Sequence, residues 1–157
     1  EARAPGIVGA ALSDKRLFAG ITADNHHVHE TNLKLASAQM AGRLCLVSDT
    51  MPSFGSEQTC FNLQGKEITL QDGRLHDDVG QLAGAHLGLD EAVQNMMACT
   101  GISAEKALDM ASGVPARILG LEDIYGQIKE GRPASLTCLD SRLNTQAVYV
   151  HGKAYHP

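Results

Sequence analysis

Asp49 is the residue whose type and position best suit proton transfer or metal binding. It comes directly after a mostly apolar run, residues 43–48, and before a loop rich in Pro, Gly and Ser, residues 51–56. A carboxylate at the end of a buried strand is held on a rigid scaffold and faces a cleft. There it can act as a general base or as a metal ligand. The alternative is that Asp49 only caps a turn.

Three histidines follow an earlier apolar run, at His26, His27 and His29, with Asp24 just before them. Imidazole is a common ligand of zinc and similar ions, and a site needs three or four converging groups. If the segment continues a strand, His27 and His29 share one face and His26 points away. Three interpretations stay open: metal ligands, a His27 that donates to a polar or anionic ligand, or solvated loop histidines. Asp24 either orients a histidine or satisfies backbone donors.

Two weaker candidates have groups that bind anions. Leu82, Ala83 and Gly84 come just before a predicted helix over residues 87–99, and free backbone N–H groups at a helix start attract anions. Arg3 carries a guanidinium, which binds phosphate bidentately, although a lone arginine near a chain end is usually solvated. The remaining histidines are predicted to be structural or exposed: His76, His86, His151 and His156.

The elements around these residues alternate between strand and helix. Residues 17–22 and 43–48 have the short apolar pattern of buried strands, and between them Thr31 is predicted to cap a helix over residues 32–40. This alternation is typical of a parallel sheet in an α/β protein. Because functional residues cluster at the carboxyl ends of such strands, we expect Asp49 and the histidines to lie at one edge of the sheet.

The rest of the chain divides into three stretches. Residues 60–75 have the pattern of a hairpin with a third short strand, which resembles an insertion between a strand and a helix. Further helices are predicted over residues 104–111, capped by Ser103, and 116–119, with Gly113-Val114-Pro115 as a break between them. The tail is predicted to form a separate antiparallel piece. Residues 126–140 are turn-rich at their start and strand-like at their end, and residues 147–153 have the pattern of strand, turn and strand.

Composition narrows the class of protein. The chain has 157 residues and a formal charge of −5, with three Phe, three Tyr and no Trp. We therefore expect an aliphatic core and no nucleic-acid or membrane partner. A complete (β/α)₈ barrel needs roughly 250 residues and does not fit. The scattered cysteines, Cys45, Cys60, Cys99 and Cys138, predict free thiols in a reducing cytoplasm.

Six motifs occur in a fixed order along almost the whole chain. They are Arg3-x-Pro5-Gly6-Ile7-Val8-Gly9-Ala10, Ala23-Asp24-x-x-His27-Val28, Leu46-Val47-Ser48-Asp49-Thr50-Met51-Pro52, Gly80-Gln81-Leu82-Ala83-Gly84, Met110-Ala111-x-x-x-Pro115-Ala116-Arg117-x-Leu119-Gly120 and Gly126-x-Ile128-x-x-Gly131-x-x-Ala134-x-Leu136. In this order they resemble the C-terminal part of the N-acetylglucosamine-6-phosphate deacetylases, a family of the amidohydrolase superfamily.

The resemblance implies a fold and a reaction. The fold would be an α/β one, the C-terminal portion of a (β/α)₈ TIM-type barrel over residues 1–123, with an inserted β-hairpin. Residues 124–157 would add strands of a small β-sandwich. The reaction would be metal-dependent hydrolysis that releases acetate and glucosamine 6-phosphate, with Asp49 as the catalytic proton-transfer group. Substrate contacts would come from Arg3, Asp24, Asn25, His26, His27, Leu82, Ala83 and Gly84.

The resemblance also implies partners. The divalent metal, zinc or similar, would take a Glu and two His that lie N-terminal to residue 1. We therefore expect this chain to bind no metal and to be inactive alone, to pair with a missing N-terminal half or to form a homo-oligomer, and to be cytoplasmic. Arg3 would reach the substrate phosphate of a neighbouring subunit.

Departures from the family pattern leave the substrate open. Asn25 stands where Gly is usual, Ala85 where Ser is usual and Gln94 where Arg is usual. N-acetylgalactosamine 6-phosphate is therefore an alternative substrate. Two further interpretations also stay open: a different amidohydrolase with a similar C-terminal half, and a truncated chain kept as a non-catalytic binding or assembly module.

Overall fold

A computed structural model describes residues 3–156 of the chain. In these residues α-helices and β-strands are mixed along the sequence, as expected for an α/β protein. The helices are α1 Gly6–Ser13, α2 Glu30–Gln39, α3 Leu89–Thr100, α4 Ala104–Ala111 and α5 Gly113–Ile118. The strands are β1 Ala19–Ile21, β2 Leu44–Leu46, β3 Cys60–Leu63, β4 Lys66–Gln71, β5 Arg74–Asp77, β6 Leu136–Leu139, β7 Thr145–Val150 and β8 Lys153–Tyr155.

Strands β1 and β2 are parallel neighbours, and α2 connects them. Their register pairs Ala19 with Leu44 and Ile21 with Leu46. All three residues of β2 are buried, which explains why the strand is a continuous apolar run rather than an alternating one. The predicted strand–helix–strand order and the parallel pairing are both confirmed.

The main core lies where α2, α3 and α4 pack on this strand pair. Its buried members are aliphatic or Met, as the composition predicted. The largest of them that are almost fully buried are Leu33, Met40, Leu87, Val93 and Met96. Cys45 on β2 is also buried, and burial raises the pKa of its thiol. The cysteines are all free thiols.

Two helix starts differ from the prediction. Helix α2 begins at Glu30, and its cap is His29 rather than Thr31, because the His29 ring accepts a hydrogen bond from the Thr31 N–H. Helix α5 begins at Gly113, so the segment predicted as a break is already helical. Pro115 is tolerated there because the first turn of a helix leaves its N–H groups without an internal acceptor. Ser103 caps α4 as predicted.

The remaining strands form two antiparallel sheets of three strands, β3-β4-β5 and β6-β7-β8. The first has its own small core of Phe61, Ile68 and Leu75. Both sheets follow simple up-and-down order, with tight turns at Gly65, Gly73 and Gly152, each at positive φ. In the described residues no helix is long and apolar enough to cross a membrane.

The first turn of α3 fixes the position of the third sheet. The Asp90 carboxylate accepts hydrogen bonds from the Thr145 N–H at 3.2 Å and the Thr145 hydroxyl at 2.7 Å. One turn further on, the Gln94 side chain donates to Asn144 at 3.2 Å. Gln94, one of the departures from the family pattern, thus contacts the residue that directly precedes β7.

We predict that Asp90→Ala destabilises the protein by about 1–3 kcal/mol, because it leaves the Thr145 donors without their acceptor. Urea unfolding measures this change. Glu91→Ala is the matched control, since Glu91 is an exposed acidic neighbour in the same helical turn. An equal loss in both variants would contradict the prediction.

The same pair predicts a pH dependence. Burial raises the pKa of Asp90, but hydrogen bonds from Thr145 and the backbone outweigh it, so that the pKa lies below its usual value of 3.8. A carboxyl with a lowered folded-state pKa stabilises the protein above its unfolded-state pKa, and this stabilisation is lost as the pH falls through the folded value. The difference in the free energy of unfolding between wild type and Asp90→Ala should therefore shrink below pH 3.8.

Candidate functional site

Asp49 follows β2 and is held by backbone pairing with a distant segment. Its carbonyl accepts the Ala85 N–H at 2.9 Å, and the Met51 N–H donates to the Ala85 carbonyl at 3.2 Å. Thr50 and Ala85 thus form a parallel bridge beside the β1–β2 pair. Asp49 is exposed and adopts a left-handed backbone conformation, with φ +49°. Asp adopts this conformation more readily than most residues, and such strain is common at functional positions.

The loop after Asp49 is fixed to the segment that follows Ala85. The Thr50 hydroxyl donates to the Leu87 carbonyl. Ser53, only 1% exposed, hydrogen-bonds through Oγ to the His86 Nδ1 at 3.1 Å. The Phe54 ring meets the His86 ring edge-on, with 5.4 Å between their centroids. These contacts hold the loop in one conformation. Sequence reasoning missed Ser53, and no local pattern marks it.

The segment Leu82–Gly84 lies between β5 and this loop. The Ala83 N–H donates to the Leu75 carbonyl at 3.0 Å. Helix α3 begins at Leu89 rather than at residue 87, so Leu82–Gly84 do not lie at its start, and their contact with an anion stays a prediction. The physical reason for their position is that the segment pairs with the end of β5 instead. Gly84 contacts Met51, which brings this segment against the Asp49 loop.

Asp77 fixes the turn that leads into Leu82–Gly84. Its side chain is 3% exposed and accepts hydrogen bonds from the Lys66 ammonium at 2.7 Å and the Gln81 N–H at 2.8 Å. The hydrogen bond from Lys66 is the main reason why the pKa of Asp77 lies below its usual value. The Asp77 carboxylate therefore closes the turn through an ion pair and backbone hydrogen bonds.

Asp24 and His27 form a close pair in the loop after β1. One Asp24 oxygen, Oδ1, accepts the backbone N–H groups of His26 and His27 at 3.0 and 2.9 Å. The other, Oδ2, lies 2.6 Å from the His27 Nδ1. The loop is attached to α3 through Asn95, whose amide donates to the Ala23 carbonyl at 2.9 Å. Asp24 therefore orients a histidine and also satisfies backbone donors. The sequence had left these two roles open as alternatives.

The three neighbouring histidines do not converge. Strand β1 ends at Ile21, so the condition under which His27 and His29 would share one face of a strand is not met: His29 caps α2 instead. His26 is exposed, and Asn25 takes the left-handed conformation that the usual Gly would adopt, with φ +62°. Across residues 3–156, no group of three or more His, Cys, Asp or Glu is arranged to hold a metal ion.

Arg3 lies in an exposed turn just before α1. Helix α1 is itself exposed, with Ile7 and Val8 at 87% and 67% of their full accessibility. Asp49 and His27, by contrast, each follow the carboxyl end of one of two neighbouring parallel strands. The structure therefore assembles a candidate site from the ends of β1 and β2 and from residues 82–85.

Comparisons with known proteins identify relatives of this chain. The model of the amidohydrolase family matches residues 10–155. The N-acetylgalactosamine-6-phosphate deacetylase of Escherichia coli O157:H7 is 38% identical over 96% of this chain, which spans 40% of that relative. A protein of Escherichia coli K12, named for the same activity, is also 38% identical, and the chain spans 90% of it.

Among solved structures, N-acetylglucosamine-6-phosphate deacetylase from Pasteurella multocida superposes with a TM-score of 0.93 at 30% identity. The match covers all of this chain and 41% of that structure. The chain thus spans about two fifths of these longer relatives.

We predict that Gly84→Ala destabilises the protein more than Gly73→Ala. Both glycines have positive φ, +77° and +73°, so an added Cβ strains both. Only at Gly84 would the Cβ also overlap Met51, at 2.4 Å from its Cε, whereas nothing lies within 4 Å at Gly73. Thermal unfolding should show that Gly84→Ala lowers the free energy of unfolding by about 1–3 kcal/mol more than Gly73→Ala does.

Adding Met51→Ala to Gly84→Ala separates the two effects. If the overlap with Met51 causes the extra loss, the double variant recovers part of it, because the space occupied by the Met51 side chain becomes free. If the stability losses of the two substitutions simply add, the overlap with Met51 is not the cause of the extra loss in Gly84→Ala.

Proposed function

This chain belongs to the amidohydrolase family, and we propose that it supplies the C-terminal part of an amino-sugar 6-phosphate deacetylase. The observation that carries the proposal is the position of Asp49, exposed at the end of a buried parallel strand with its loop held by Ala85, Leu87 and His86. Catalytic groups need such a rigid support. The names of its relatives supply the substrate class, an N-acetylated hexosamine 6-phosphate.

The proposed setting is a (β/α)₈ barrel. The parallel pair β1–β2 and the parallel bridge between Thr50 and Ala85 support it, because they form successive parallel neighbours in chain order. Residues 1–123 would complete this barrel with the β3–β5 sheet inserted, and residues 124–157 would contribute β6–β8 to a small β-sandwich. Missing barrel strands would come from a longer chain or a separate N-terminal half.

In this setting Asp49 performs the proton transfers. Its carboxylate takes a proton from the water whose oxygen bonds to the acetyl carbonyl carbon. The same proton then goes to the amine nitrogen as the C–N bond breaks, which leaves acetate and the free amino sugar. His27 would contact the sugar or, as an imidazolium, its developing oxyanion; Leu82–Gly84 would contact the sugar, and Arg3 would bind the phosphate.

A metal is expected from the family, which generally uses a divalent ion. The described residues do not fit such a site by themselves, because they contain no group of three or more His, Cys, Asp or Glu arranged for an ion. Asp24 and His27 are engaged with each other, and His29 with the start of α2. We propose that the ligands are a Glu and two His outside this chain.

The galactosamine substrate is the second candidate. The relatives from Escherichia coli that share the higher identity with this chain are named for N-acetylgalactosamine 6-phosphate. Asn25 and Ala85, two of the departures from the glucosamine pattern, lie at the candidate site, next to Asp24 and paired with Asp49 respectively. The two sugars differ only in the orientation of one hydroxyl, so small changes near the sugar decide between them.

A chimera tests the function directly. Residues 3–156 replace the matching segment of the Escherichia coli O157:H7 relative, and acetate release is measured with both N-acetylhexosamine 6-phosphates. We expect turnover with at least one sugar, and a loss of about 10²–10⁴-fold in kcat for Asp49→Asn, because the amide cannot accept the proton. KM should change little if Asp49 acts on the reacting proton alone.

Asp72→Asn is the matched control. Asp72 is also exposed and also has a left-handed backbone, with φ +50°, but it lies in the β4–β5 turn. Its substitution should leave kcat unchanged. Near-normal turnover in Asp49→Asn would remove Asp49 from the reaction, and an inactive chimera that folds would count against the proposed function.

The isolated chain should not turn over these substrates. Purified alone and supplied with zinc, it should release no acetate from either sugar phosphate, because the proposed ligands lie outside it. The chimera assayed in parallel shows that the conditions support activity. Robust turnover by the isolated chain would overturn the placement of the metal ligands.

A further inference from the structure

The Asp24–His27 pair determines which nitrogen of His27 is free. The His27 Nδ1 lies 2.6 Å from the Asp24 Oδ2, and the Asp24 side chain is only 8% exposed. Its Oδ1 already accepts two backbone N–H groups, at 3.0 and 2.9 Å. The whole carboxylate is thus surrounded by hydrogen-bond donors.

Such a carboxylate acts as an acceptor. Burial raises the pKa of Asp24, but the hydrogen bonds from His27 and His26 outweigh it, and the pKa lies below its usual value. Ionised Asp has no proton to donate, so the proton between Oδ2 and Nδ1 must belong to the imidazole. His27 therefore carries a proton on Nδ1.

We propose that Asp24 is a positioning residue: it accepts the Nδ1 proton of His27 and leaves Nε2 as the one ring nitrogen that can meet the substrate. The part of this proposal that concerns the substrate rests on the proposed function. The role of Asp24 toward His27 does not depend on it. It also limits what His27 can do. Neutral His27 can only accept a hydrogen bond at Nε2, and it can donate there only as an imidazolium paired with Asp24.

His29 supplies an internal comparison two residues away. Its Nδ1 lies 3.2 Å from the backbone N–H of Thr31, which can only donate. The neutral His29 ring must therefore carry its proton on Nε2. The structure thus predicts opposite tautomers for two neighbouring histidines in one short segment.

The first test is ¹⁵N NMR of the imidazole nitrogens in the full chain at a pH where both rings are neutral. His27 should be protonated on Nδ1 and His29 on Nε2, with the signals assigned by His27→Ala. In Asp24→Asn, Oδ1 can still accept the two backbone N–H groups, but an NH₂ group replaces Oδ2. That group donates to Nδ1, so His27 should switch to the Nε2 tautomer while His29 stays unchanged.

A merely structural role for Asp24 predicts a different spectrum. His27 would then be a mixture of tautomers in the wild type, and Asp24→Asn would not invert it; either result overturns the proposal. Circular dichroism and the unchanged His29 signals show that the variant is folded. If Asp24→Asn does not fold, a wild-type His27 found in the Nε2 tautomer overturns the proposal, and one found in the Nδ1 tautomer supports it.

The second test is a double-mutant cycle in the active chimera. Asp24→Asn should lower kcat/KM by about five- to tenfold, the size of one lost or mismatched hydrogen bond. Because Asp24 acts through His27, it should lower kcat/KM no further when His27→Ala is already present. Independent, additive losses would overturn the proposal. An inactive wild-type chimera would count against the proposed function alone, and the NMR result would still decide the role of Asp24.

Discussion

The backbone pairing of residues 49–51 with Ala85 is the interaction on which the candidate site depends. Two hydrogen bonds join segments that are far apart in the sequence, and they extend the parallel order of β1 and β2. Without them Asp49 would lie on a loop with no fixed direction. With them, its strained backbone is held from both sides, and the strain is compensated by the surrounding contacts. The same pairing brings Gly84 against Met51, so the proposed substrate-binding segment and the Asp49 loop share one support.

Much of the fold follows from local sequence pattern. The buried strand β2, its polar end and the α2 crossover were predictable because a fully buried parallel strand is apolar throughout and ends where polar residues begin. Ser103 was predictable as a helix boundary because a serine hydroxyl before the first helical turn can accept the free N–H groups there. Asp49 was identified for the same reason: its place after an apolar run and before a Pro/Gly loop is a local signal.

The contacts that complete the site are not local, and the sequence does not show them. Nothing near Ser53 indicates that it reaches His86, and nothing near Ala83 indicates that it pairs with β5 rather than leading into α3. The sequence left three interpretations of the histidine cluster open for a related reason. Its members serve different neighbours because the chain turns after Ile21, and spacing alone cannot tell a turn from a strand. The placement of the chain in a complete barrel, and the sugar that it would bind, depend on segments beyond these residues.

The buried thiol of Cys45 offers a way to measure opening of the strand that supports Asp49. It lies in the middle of β2, shortly before Asp49, and its S–H donates to the Leu46 carbonyl at 3.4 Å. Burial keeps it protonated and unreactive, whereas Cys60 and Cys138 are exposed. A thiol reagent can therefore modify Cys45 only when β2 is transiently uncovered. Its labelling rate, compared with those of the exposed cysteines, reports how often the strand that supports Asp49 opens.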